Sequence, residues 1–403
     1  MSLARRNSIG RRVAGNSTLR ILAISLILIA SVRGAAALEC AHYPERVVLD
    51  ALLNYDFGSA GEATLAVSQG HVLIDSTSFY RGLVSWVEAA ITENPDQKDR
   101  ALATLVKAVE QLQTDYQEAP EAENLLGWHL AAAHTARLLL ENEQILSGYS
   151  LGRKSASSLA TIVYNEEFNR EQRAAAALAT GLFYVYSNFI PDEFGWVKSM
   201  VKSEGSIDQG RQLIEFSIRH SPQFSPEAAR ALFMEVPWTT PLHCRYLNLA
   251  EQMAQYYPNN TDFSIVLQGS YLRCGYPELA LYENERIQSL SVESMYQGLT
   301  GEPYAELMTL GKVRALAQIG RARGIEEYLE NTSSNPLYTY AMANALDVSG
   351  KRNQALQHYK SLGDDPDTAP YIRKNARARL TTPYHPPETI QRVNSLNLLT
   401  CTQ

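Results

Sequence analysis

The chain has 403 residues, 45% of them hydrophobic and 20% charged, with a formal net charge of −7. That much apolar material excludes wholesale disorder, and the excess of acid argues against nucleic acid as a partner, because phosphates would repel it. A length of this size suggests two or three domains unless the chain is a repeat array, which can run as far as one continuous body.

Residues 1–37 carry Arg5, Arg6, Arg11, Arg12, Arg20 and Arg33 and no acid, and Ile21 to Val32 form an apolar run of twelve residues. Spanning a bilayer takes about 20 residues, so the run is too short for that. A basic segment, a short apolar run and Ala35-Ala36-Ala37 predict a secretory signal peptide over 1–37, cleaved before Leu38. The Arg and Ser content also suits an organelle transit peptide, which the unbroken apolar run opposes, and an uncleaved anchor is the third reading. The arginine pairs allow twin-Arg export, although the residues after them match that signal poorly, and Glu39 before Cys40 argues against a lipid anchor. Removal of 1–37 leaves 30 basic and 43 acidic residues, a formal charge of −13.

Downstream, apolar residues recur at the three-and-four spacing of one helical face, as at Leu102, Leu105, Val109 and Leu112. This periodicity predicts helices over 45–56, 59–70, 77–92, 97–116, 121–146, 152–164, 170–189, 206–220 and 225–236. It continues over 241–257, 262–274, 277–289, 303–320, 324–331, 337–349, 352–362 and 370–380. Pro95, Pro120, Pro191, Pro222, Pro237, Pro258 and Pro336 fall at the breaks, and no stretch alternates with the period of two that a half-buried strand needs. The expected fold is all-α: helical hairpins joined by brief polar turns over 38–382, then an extended tail over 383–403, with Pro386-Pro387, lying along the last repeats.

All four cysteines follow the leader. An even count in an oxidising compartment favours disulfides, and none forms a C-x-x-C pair. Cys244 falls near the start of one predicted helix and Cys274 near the end of the next, and antiparallel neighbours bring those ends together. We therefore expect Cys244–Cys274, worth about 2–4 kcal/mol, with Cys40–Cys401 left by elimination; buried free thiols are the competing reading.

Gly350, Ala355 and Tyr359, with Ala343 in the preceding helix, resemble the tetratricopeptide repeat, a family of stacked antiparallel helix pairs with a glycine at the turn and small residues at the crossing. Gly275 and Ala280 keep the five-residue step, with Asn284 in place of the usual aromatic; Gly205 and Gly210 before Pro222 resemble a copy with Gly for Ala, and Gly58 with Ala63 a degenerate first copy. The turn glycines Gly205, Gly275, Gly320 and Gly350 are 70, 45 and 30 residues apart, so the period is irregular. The resemblance implies an α-α superhelix, a solenoid whose surface binds proteins. A generic helical solenoid is the alternative.

Chemistry is sparse. Gly148-Tyr149-Ser150-Leu151-Gly152 spells the G-x-S-x-G of a hydrolase nucleophile elbow, but the elbow needs a strand before it, and glycines bounding an inter-helix turn explain the string as well. His129 and His134 are five apart, on different helical faces, and neither an HExxH nor a phosphate-binding loop occurs. Glu166-Glu167 and Glu326-Glu327 could supply an acid and a base for glycan cleavage, yet read more simply as solvated faces. Asn259 and Asn331 open glycosylation sequons. Among 22 tyrosines, Tyr271, Tyr304, Tyr338 and Tyr340 are candidates for a partner-binding surface, although tyrosine also packs well between helices. Trp86, Trp128, Trp196 and Trp238 are expected in the core. The sequence thus predicts a non-catalytic, extracytoplasmic, periplasmic scaffold for a protein or peptide partner, without cofactor, metal or membrane span. An enzyme or enzyme subunit acting on envelope glycans, or a solute-transport accessory with an enclosed pocket, is the alternative.

Overall fold

The computed structural model describes residues 43–67, 72–188, 205–236, 244–293, 302–331, 336–391 and 396–399. The leader, Cys40, Cys401, Trp196 and Trp238 lie outside the described residues. Among those described, the chain is all-α and contains no strand. Its helices are α1 Pro44–Leu53, α2 Phe57–Ala63, α3 Thr77–Ile91, α4 Pro95–Glu118, α5 Ala122–Glu141, α6 Ile145–Tyr164, α7 Arg170–Ser187, α8 Ile207–His220 and α9 Ser225–Met234. They continue as α10 Leu247–Tyr256, α11 Thr261–Arg273, α12 Pro277–Glu293, α13 Glu302–Gln318, α14 Arg323–Asn331, α15 Pro336–Val348, α16 Arg352–Asp364 and α17 Pro370–Thr381. No helix among the described residues is long and apolar enough to cross a membrane.

Local chemistry explains the helix starts. Asn94 accepts the Gln97 N–H ahead of Pro95, while Asn169 with Gln172 and Ser206 with Gln209 form reciprocal capping boxes on α7 and α8. The ends share one device. Tyr55, Glu93, Glu143, Gly275, Gly320 and Gly350 all have positive φ, between 52° and 78°. In each case the next N–H bonds a carbonyl five residues back, from Asp56 to Ala51, Asn94 to Ala89, Gln144 to Leu139, Tyr276 to Tyr271, Arg321 to Leu316 and Lys351 to Leu346, at 2.7–2.9 Å. This six-to-one bond satisfies an orphan carbonyl and turns the chain back.

Half of these turns carry no glycine, which corrects three sequence expectations. The helix expected over 121–146 breaks after Glu141, because Glu143 takes the left-handed conformation. Gly148 and Gly152 therefore lie inside α6 rather than bounding a turn; Ser150 is an exposed helical residue, and the elbow geometry is absent. Gly58 likewise sits within α2, and the first turn is at Tyr55, five residues before the fully buried Ala60.

At four of the six turns the residue five positions on is small, Ala60, Gly148, Ala280 or Ala355, which lets the paired helices approach; it is Lys98 after Glu93 and Ile325 after Gly320. A Cβ on Gly148 would lie 2.9 Å from the Ala136 carbonyl of α5. Where α7 crosses α8 the contact is tighter, since a Cβ on either Gly181 or Gly210 would sit 2.6 Å from the other's carbonyl oxygen. Gly181→Ala and Gly210→Ala should therefore each lower stability by about 1–3 kcal/mol. Gly61→Ala in α2, where a side chain meets open space, should leave stability unchanged or raise it by up to about 1 kcal/mol. Amide hydrogen exchange of α7 and α8 in the first two variants, and of α2 in the third, checks the contrast; equal effects at Gly61 and Gly210 would contradict the crossing argument.

Each helix packs on its sequence neighbours, and the first members of successive pairs also touch: α1 with α3, α5 with α7, α11 with α13, α13 with α15, and α15 with α17. Some contacts are not local. α1 packs on α9, and the α10–α11 turn holds its end: Tyr257 Oη donates to Asp50 at 2.6 Å, Asn260 Nδ2 to the Leu53 carbonyl at 2.8 Å, and Tyr55 Oη to Asp262 at 3.1 Å. One apolar core runs from Val48 to Cys274, and a second from Leu310 to Ala376. Cys244 and Cys274 are disulfide-bonded, with Cα atoms 5.5 Å apart.

The tail is extended and runs back past the last helix pairs. The Tyr384 N–H donates to Asp347 at 2.8 Å and the Ile390 N–H to the Cys274 carbonyl at 3.0 Å. Leu396 and Leu398 are buried in the first core, and Arg46 Nη1 donates to the Leu399 carbonyl at 3.2 Å. A strand-like peptide is held here without a sheet, because side chains, and for Ile390 the Cys274 carbonyl at the end of α11, supply the partners its backbone needs.

Candidate binding groove

The C-terminal helices enclose a cavity of about 210 Å³. Three helices supply it, each with residues three or four apart and therefore on one face: Arg314, Ala317 and Gln318 from α13, Leu337, Tyr340, Ala341 and Asn344 from α15, and Tyr371, Ile372 and Asn375 from α17. These are the first helices of successive pairs. Tyr384 of the tail closes one side, with the Arg379 guanidinium 5.2 Å from its ring centre.

Polar groups are oriented from behind. Asp347, whose side chain is fully buried, accepts Arg352 at 2.9 Å, Tyr359 Oη at 3.1 Å and the Tyr384 N–H at 2.8 Å. Burial and the Asp347 charge push the Tyr359 hydroxyl well up, so it remains a donor. Its one proton is shared between Asp347 and Asn344 Oδ1, the latter 2.7 Å away, and the Asn344 amide N–H groups have no partner among the described residues.

Electrostatically the groove is basic. No acid lines it, and neither Arg314 nor the nearby Arg273 forms an ion pair among the described residues. Partial burial, and then the charge of Arg314, lowers the Arg273 pKa; partial burial also lowers that of Arg314, against the pull of the Tyr371 and Tyr384 hydroxyls. The Arg314 charge thus acts on Arg273, and neither guanidinium has a counter-ion among the described residues. An anion placed between them would relieve both effects.

The tyrosines singled out from sequence fall in different places. Tyr340 lines the groove and packs edge-on against Tyr359, ring centres 5.8 Å apart. Tyr338 is a core residue, 2% exposed. Tyr271 lies on α11, donating to Glu251 at 2.8 Å, and the Tyr304 side chain is outside the described residues. Arg314, Asn344, Tyr371 and Asn375 were missed, although their three-and-four spacing with Ala317, Tyr340 and Ile372 was available as a signal.

Other candidates carry less. Glu166 and Glu167 sit side by side on an exposed turn rather than across a cleft. His129 is buried and stacked on Trp128. No group of three or more His, Cys, Asp or Glu side chains among the described residues is placed to hold a metal ion. No protein-family model matches the chain, and no curated protein or solved structure matches it.

Proposed function

We propose that the protein is an exported scaffold, a superhelix of antiparallel helix pairs of the tetratricopeptide kind, whose inner surface holds an extended acidic segment of another protein. The observation that carries this reading is the pair of arginines without counter-ions beside an aromatic-walled groove furnished with amide donors. Tyr340, Tyr371 and Tyr384 offer apolar faces to the partner's side chains, and Arg314, Asn344 and Asn375 meet its carboxylates. Contacts between the first helices of successive pairs support an inner layer, and recurring left-handed turns five residues before a small crossing residue support the repeat kinship. The basic, apolar leader and the Cys244–Cys274 bond favour an oxidising compartment outside the inner membrane, such as a periplasm. In this reading the protein performs no catalysis itself.

The test uses fluorescent eight-residue peptides, one rich in Glu with a free C-terminus and one its Gln-containing, amidated isostere. The acidic peptide should bind the full chain more tightly, and Arg314→Glu should weaken it by at least about tenfold, since each charge-assisted bond contributes about 1.5–3 kcal/mol. Equal affinity for both peptides, or indifference to Arg314→Glu, would remove the groove from consideration. N-terminal sequencing of the secreted protein checks the export claim, with Leu38 as the expected first residue.

A further inference from the structure

The wall that Tyr384 gives the groove belongs to a stretch of tail that packing does not hold. No residue from Pro383 to Gln391 is buried, and the Ile390 side chain is 40% exposed. Hydrogen bonds at the two ends of the stretch fix it instead.

At the near end, Arg379 Nη1 donates to the Pro383 carbonyl at 3.1 Å and the Tyr384 N–H meets the buried Asp347. The far end reaches the C-terminus of α11, where a helix leaves carbonyls without partners. There the Ile390 N–H donates to the Cys274 carbonyl, Thr389 Oγ1 to the Gly275 carbonyl at 3.0 Å, and Tyr276 Oη to the Ile390 carbonyl at 2.8 Å. Gln318, itself a groove residue, donates to the Leu272 carbonyl of the same turn at 3.0 Å. Between the two ends lie Pro386 and Pro387, whose fixed φ makes the spacer stiff and extended. A shift at Ile390 is therefore passed on to Tyr384 rather than absorbed on the way.

A segment with exposed backbone bonds and little buried surface opens at far lower cost than the cores beneath it. Three walls of the groove come from helices that carry core residues, and the fourth is free to leave.

We propose that the stretch from Pro383 to Ile390 is a strap that exchanges between a docked and a lifted state, and that an acidic segment in the groove holds it docked. This rests on the groove being the site of that segment. The ligand gains the Tyr384 ring only while the strap is docked, and that differential contact links the two events in both directions.

The Glu-rich peptide and its neutral isostere are the probes, on the full chain. Ile390→Pro removes the donor to Cys274, whereas Gln391→Pro removes an N–H that has no partner among the described residues. Ile390→Pro should weaken the acidic peptide by at least about fivefold, the low end of ordinary coupling between sites, and Gln391→Pro by less than about twofold. Tyr384→Ala should weaken binding to the otherwise wild-type chain by a similar factor and add almost nothing to Ile390→Pro, in which the ring is already displaced. Saturating acidic peptide should slow amide exchange of Ile390 in the wild type. Wild-type exchange rates in α13, α15 and α17 show that each variant is folded, and Tyr276→Phe, which removes only the hydroxyl on the Ile390 carbonyl, should shift affinity the same way. Unchanged affinity in Ile390→Pro, or additive losses in the double variant, would overturn the strap while a wild-type preference for the acidic peptide left the groove standing. No such preference in the wild type would overturn both.

Discussion

Replacing Glu227 with Ala should lower the stability of the N-terminal helices by about 3–5 kcal/mol, the usual effect of stranding buried charges. Its side chain is 8% exposed and contacts Arg137 and Arg230, both of which also reach Glu235. Tyr186 of α7 donates to Glu235 as well, so the cluster ties α5, α7 and α9 together. Deleting one carboxylate leaves two guanidinium groups sharing Glu235, with only the more exposed Glu141 beside Arg137 at 3.6 Å. Burial alone would raise the Glu227 pKa, but Arg230 and Arg137 overcome it and hold the group at about 2, below its ordinary 4.5. Its contribution is therefore present above pH 4.5 and lost as pH falls toward about 2. A chain of many helices with more than one core need not unfold as one unit, so amide hydrogen exchange of α5 and α9 is the appropriate measurement. Protection in Glu227→Ala equal to wild type, with Glu166→Ala as the surface control, would show that the cluster contributes nothing.

The second large effect has the opposite pH dependence. Glu45 is fully buried; its Oε1 accepts the Leu73 N–H at 2.7 Å, the Ile74 N–H at 2.8 Å and the Tyr80 hydroxyl at 2.9 Å, while Oε2 has no partner among the described residues. Burial raises its pKa to about 7, although the bonds from Ile74, Tyr80 and Leu73 work against that shift. The protonated carboxyl therefore favours the folded state. Its contribution is complete below the ordinary value of 4.5 and lost as pH rises through about 7. That gap corresponds to about 3 kcal/mol. Exchange of the α1 and α3 amides should accelerate between pH 5 and 8 beyond the intrinsic chemical rate, and Glu45→Gln should abolish the excess. A wild-type profile parallel to that of Glu45→Gln would sink the assignment.

The position of the helices was legible along the chain. Every helix expected from periodicity has a counterpart among the described residues, and the Cys244–Cys274 bond joins the helix ends that its spacing suggested. Most turns were legible, from glycine at Gly275, Gly320 and Gly350 and from the breaks expected near Tyr55 and before Pro95, whereas the turn at Glu143 was not; Tyr55, Glu93 and Glu143 have positive φ like the glycines. Tertiary packing imposes on those three a conformation that their own side chains disfavour. Of the groove, only Tyr340 was found, because tyrosine is conspicuous by type. Arg314, Asn344 and Asn375 are ordinary in isolation and acquire meaning only when three helices bring them to one face.

By itself the sequence determined an all-helical chain, the helix positions and one cross-link, since apolar periodicity, caps and prolines act within about a turn of where they are read. Only the tertiary structure decided that α1 meets α9, that the tail returns as far as Arg46, and that Glu45 and Glu227 are buried. Those outcomes depend on the crossing angles of many successive helices, each set by side-chain packing rather than by local pattern. Small rotations add from one packed helix to the next, and their sum determines which distant residues meet.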